Sequence, residues 1–156
     1  MDYAATDLIL ALVHHVLIFM LAGVIALEIG IIRSNMSGGD VLRIAKVDLW
    51  YGILAGAIVV VGFSRAIFAA KGWAYYSVNL FFWAKIGTFA LVGLLSVIPT
   101  LAFLKWRRAL RAEPLFQPAS DDVRQVRHIL WVEAVLFAFI AMFAAAMARG
   151  YGALGP

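Results

Sequence analysis

At 156 residues, 65% hydrophobic and 14% charged, the chain is a single domain too apolar for an ordinary soluble fold, in which about a quarter of the residues carry charge. Its net charge of +4 comes from basic loops between apolar segments, a membrane-protein pattern that argues against a nucleic-acid partner. With no cysteine in the sequence, disulfides, thiolate metal sites and thiol catalysis are excluded.

A bilayer core takes about 20 apolar residues at ~1.5 Å rise each, and four segments qualify. The first spans residues 8–32. It follows acidic Asp2 and Asp7, lacks a basic leader and exceeds a signal-peptide core, so it reads as a retained helix. The loop SNMSGGD (34–40) stops it, and Asp40 either caps a short helix through Lys46 or extends the second helix outward. The second span covers 49–70. Its exit loop, KGWAYYS (71–77), carries Trp73, Tyr75 and Tyr76, residues suited to a membrane interface. The third span covers 78–104, followed by a polar loop over 105–127 that Pro114 and Pro118 keep from being one helix. The fourth covers 129–148. The expected fold is therefore all-α, a four-helix transmembrane bundle.

Lysine and arginine set its orientation. Arg33, Arg43 and Lys46 follow the first span, and Lys105, Arg107, Arg108, Arg111, Arg124 and Arg127 follow the third, against Lys71 and Arg149 on the other side. That imbalance places both termini in the periplasm of a bacterial cytoplasmic (inner) membrane. Small-residue faces left unused by four helices point to a homo-oligomer.

Ionisable residues at membrane depth are costly and usually face a bundle interior or cavity. Depth sorts those here into two groups. His14 and His15 lie about 7 Å to the periplasmic side of the first helix's midpoint, and Arg65 and Lys85 about 9 Å to the same side in theirs. Tyr75 and Tyr76 could close this layer. With no acid assigned to it, the layer calls for an anionic partner. Toward the cytoplasm lie Glu28, Glu133 and Tyr51, with His128 at the start of the fourth helix and Thr100 after a helix-bending Pro99. The two glutamates either pair with Arg33 or Arg127 or relay protons.

An imidazole at this depth is a usual haem ligand, and Arg65 and Lys85 could hold propionates or a carboxylated substrate. Adjacent helix positions differ by ~100°, so only one of His14 and His15 can serve a given site. His15 is favoured, because it shares a face with Ala11, Ile18, Ala22 and Ala26. The plainer reading has a histidine bonding a backbone carbonyl and the cations snorkelling to the interface. His128, roughly 20 Å along the membrane normal from His14, is too far to be a second axial ligand. The run Phe81-Phe82-Trp83 reads as a lipid-facing belt.

The stretch DLWYGILAGAIVVVGFSRAIFAAKGWAYYSVNLFFWAKIGTFALVGLLSVIPTLAFLKWRR and the closing MARGYG resemble an uncharacterised family of bacterial inner-membrane proteins, domain of unknown function 2214. A histidine in the first helix and Trp83-Ala84-Lys85 entering the third are more distantly similar to HemJ-type protoporphyrinogen oxidases and copper-resistance D-type membrane proteins. That similarity implies haem b ligated by His14 or His15, with Lys85 near haem or porphyrin carboxylates. The late third-helix histidine of the HemJ pattern is replaced here by Ser96-Val97-Ile98-Pro99-Thr100. Three functions remain open. One is a haem-binding redox or electron-transfer protein acting on a quinone or porphyrin, with enzymatic oxidoreductase activity undecided. Another is a transporter or channel for a small anion or metal. The third is an accessory subunit of a larger membrane complex.

Overall fold

The computed structural model describes residues 3–68 and 72–153. Lys71 and the expected end of the second span at Ala70 lie outside them, as does Asp2. The described chain forms α1 (Tyr3–Ile31), α2 (Gly38–Phe68), a short α3 (Gly72–Ser77), α4 (Leu80–Ala112) and α5 (Ser120–Ala148). Four of these are long and apolar enough to cross a membrane. In ring order, α1 packs on α2 and α5, and α4 packs on α2 and α5, while the diagonal pairs meet only through side chains in the bundle interior. The bundle has two ends. The terminal face holds the start of α1 and the end of α5, and the loop face holds the α1–α2 and α4–α5 connections.

Each long helix has 29 to 33 residues, or roughly 45–50 Å at 1.5 Å rise, which exceeds a hydrocarbon core of ~30 Å. The excess lies mostly at the loop face. There α2 begins eleven residues before the expected 49, α4 ends eight after 104, and α5 begins nine before 129. Hydropathy marks where lipid ends, whereas a helix continues until a cap or a proline stops it. The expected polar loop of 105–127 thus shrinks to 113–119, which keeps both Pro114 and Pro118. Of the two roles open to Asp40, the structure has it extending the second helix.

The start of α2 is a capping box. The Asp40 backbone N–H donates to Ser37 Oγ at 3.2 Å, and Asp40 Oδ2 accepts from the Ser37 N–H at 3.1 Å. Met36 before the cap and Val41 after it are buried in one cluster, a hydrophobic staple. That cluster, with Ile44, Phe103, Trp106, Val126 and Leu130, closes the loop face. A second core of Leu21, Ile25, Tyr51, Leu54 and Ile58 fills the middle of the bundle. Pro99 lies inside α4, which continues through it. Proline has no N–H to give, so the Leu95 carbonyl loses its usual helical donor there.

At the terminal face, the buried Asn79 caps α4 by accepting from the N–H groups of Phe81 and Phe82 at 3.0 and 3.2 Å. Its amide also donates to the Tyr151 carbonyl at 3.0 Å, and the Leu80 N–H donates to the Gly152 carbonyl at 2.8 Å. The end of the chain is therefore strapped across the start of α4. Gly150 and Gly152 hold φ of +86° and +82°, conformations that favour glycine.

Candidate functional site

Toward the loop face, three buried acids converge from three helices. Glu28 of α1 is 1% exposed, Asp48 of α2 8% and Glu133 of α5 0%. Glu28 lies within electrostatic reach of the other two, and Asp48 also acts on Glu133. Helix α4 supplies hydroxyls. Thr100 Oγ1 donates to Asp48 Oδ1 at 2.7 Å, and Ser96 neighbours the buried Tyr51 hydroxyl. Tyr51 also neighbours the Glu133 carboxylate. Tyr51 and Glu133 fall short of hydrogen-bond geometry, so both Glu133 oxygens are buried without a hydrogen-bond partner, as is Glu28 Oε1.

Neither expected arginine reaches this cluster. Arg33 pairs with Asp40 at 3.0 Å, and Arg127 is exposed. His128 is also exposed, in the third turn of α5. Among the described residues no ion pair reaches Glu28, Asp48 or Glu133. Asp48 was absent from the sequence-derived group because it precedes the expected span at 49. The signal was its spacing: Asp48 and Tyr51 are three apart, and so share one face of a helix. The described residues hold no group of three or more His, Asp or Glu side chains arranged for a metal ion.

Near the terminal face, His14, Arg65 and Lys85 come together from α1, α2 and α4, each within electrostatic reach of the imidazole. The expectation of a layer without acid is corrected here. Asp7 lies 3.9 Å from Arg65, because α1 is already helical at Asp7 and carries it about two turns above His14. The adjacent histidines diverge as their spacing requires. His14 is wedged against α2, where a Cβ on Gly62 would stand 3.2 Å from its Cε1. His15 faces outward, its Nδ1 bonded to the Ala11 carbonyl at 2.6 Å. Ala22 and Ala26, which share the His15 face by helix register, line an apolar groove between α1 and α5.

The aromatic run divides in the same way. Trp83 faces outward, but Phe82 is buried and lies under the Lys85 ammonium, 5.5 Å from nitrogen to ring centre. The belt assignment therefore fails for Phe82, because Asn79 caps the helix with that side turned inward. Tyr75 and Tyr76 pack together on α3, and Tyr76 lies 5.6 Å from the Phe82 ring. Both thus belong to the structure above Lys85.

No curated protein and no solved structure matches the chain. A family model described as "Predicted membrane protein (DUF2214)" matches residues 6–152, a span that contains both polar layers and the strap through Gly152. The chain is a multi-pass membrane protein that belongs to this family.

Proposed function

We propose that the protein is a proton-linked membrane transporter, with Glu28, Asp48 and Glu133 as the site that takes up and releases the proton. One observation carries this reading: three carboxylates from three helices are buried together with no ion pair among the described residues. An unpaired ionised acid is costly at membrane depth. Packing alone would be served better by apolar side chains. Such acids are useful where protons must be held and passed on. Tyr51, Ser96 and Thr100 line the cluster with hydroxyls, which both donate and accept. The excess of lysine and arginine at the loop face supports periplasmic termini in a bacterial inner membrane.

The test is dissipation of a pH gradient by proteoliposomes in chloride and nitrate media, followed with an internal dye. The wild type is expected to dissipate it faster than protein-free vesicles, and Glu133→Gln to return it to the protein-free rate. A wild type equal to empty vesicles, or a fully active Glu133→Gln, would overturn the reading.

A b-type haem is the reading these residues support less. His14 is packed edge-on against Gly62, which leaves no slot for a macrocycle on that side. His15 bonds the Ala11 carbonyl through Nδ1, which leaves Nε2 open, but its ring lies on the exposed side of α1. Asp7 lies 3.9 Å from Arg65 and would compete with a propionate for it. A Soret band in protein from haem-supplied cells, lost in His14→Ala, would reverse this conclusion.

A further inference from the structure

We infer that His14, Arg65 and Lys85 form a binding site for a small monovalent anion, which travels with the proton of the acid cluster. The coupling rests on the proton-linked reading, whereas the site stands on its own geometry.

Two basic side chains, Arg65 and Lys85, lie within electrostatic reach of each other on neighbouring helices, and Asp7 is the one acid paired with them among the described residues. One unit of positive charge is left unmatched in a medium where that is expensive. The Lys85 ammonium reaches one turn toward the terminal face, yet it lies over the ring of Phe82, which is 3% exposed, and so stays against the interior of the bundle. Arg65 is incompletely satisfied as well. Its closest approach to Asp7 is 3.9 Å, beyond hydrogen-bond length, and its Nε is buried with no acceptor. His14 Nδ1 is likewise buried without a partner. Asp7 Oδ1 is unpartnered as well, so the clear orphaned donor is Arg65 Nε, and buried polar atoms without partners are uncommon in native folds.

The unmatched charge sets the valence at one. A singly charged oxyanion or halide answers the cation, and a guanidinium favours planar oxyanions through its fork of donors. Asp7 then competes with the ligand for Arg65. A proton and a monoanion moving together carry no net charge, so the membrane potential does not oppose the pair.

The experiment is thermal unfolding of the detergent-purified full chain in sodium nitrate, chloride or formate, against sulfate at equal ionic strength. The monoanions are expected to raise the unfolding temperature saturably, and sulfate not to. Lys85→Gln should abolish the saturable shift, and Glu133→Gln should keep it. Asp7→Asn removes the competing carboxylate and should tighten the apparent Kd for nitrate about fivefold, a gain that misfolding cannot imitate. No saturable shift with any of the three monoanions, a shift that survives Lys85→Gln, or no tightening in Asp7→Asn would overturn the site. If the shift holds but nitrate entry into proteoliposomes brings no proton with it, the site stands and the coupling falls.

Discussion

At the scale of single residues, the hydroxyl of Thr100 and the carboxylate of Asp48 form the tightest polar contact in the acid cluster, at 2.7 Å across α2 and α4. Its length suits a hydroxyl bonded to a carboxylate. Thr100→Val keeps the side-chain shape and removes the donor. Loss of a hydrogen bond to a buried acid costs about 1–3 kcal/mol, so the variant should unfold at a measurably lower temperature in detergent. An unchanged midpoint would mean the bond adds nothing to stability. How legible each residue was depended on its position along its helix. Glu28 and Glu133 stood out because they interrupt long apolar runs. Asp48 and Asp7 lie where apolar runs begin, so hydropathy assigned them to water. Only the helix register, which carries Asp48 inward beside Tyr51 and Asp7 toward Arg65, brings them into the sites. The sequence did separate His14 from His15, because His14 lies nearer the face of Glu28, which with Leu21 and Ile25 is the buried face of α1. The closeness of Gly62 turns His14 inward.

At the scale of elements, side-chain caps rather than hydropathy determine where α2 and α4 begin, whereas α5 starts just after Pro118 with no side-chain cap. The Ser37–Asp40 box was readable as a local motif, and it brings the start of α2 well outside the lipid core. Ser37→Ala should cost about 1 kcal/mol, seen as a small drop in thermal midpoint. The strap at the other end is the less legible device, because Asn79 and Tyr151 are 72 residues apart. Gly152 is its tightest point. A Cβ there would stand 2.5 Å from Phe81 Cδ2, on a residue with φ of +82°. Gly152→Ala should therefore release residues 150–153 from Asn79 and expose the chain end to limited proteolysis, with Asn79→Ala giving the same pattern. An equally resistant end in both variants would show that these bonds do not hold the strap.

At the scale of the whole molecule, the bundle is polarised, with the cationic layer near one face and the acid cluster toward the other. Which compartment each layer meets depends on orientation, and the basic residues argue for one answer. Nine of the thirteen lysines and arginines flank the loop-face connections, and such residues favour the cytoplasmic side because translocating them is disfavoured. Arg33 and Arg124 are neutralised by Asp40 and Asp121, yet Arg43, Lys46, Lys105, Arg108, Arg111 and Arg127 remain exposed, so the bias survives local pairing. The absence of cysteine from the chain makes a direct test available. Ala119→Cys lies in the exposed α4–α5 connection, and Ala153→Cys lies in the exposed part of the strap. In intact bacterial cells with a permeable outer membrane, an impermeant maleimide should label Ala153→Cys at once. Ala119→Cys should react only after the inner membrane is opened. The reverse pattern would invert the molecule. It would place the His14–Arg65–Lys85 layer toward the cytoplasm, so the proposed anion would be met from inside and exported rather than admitted.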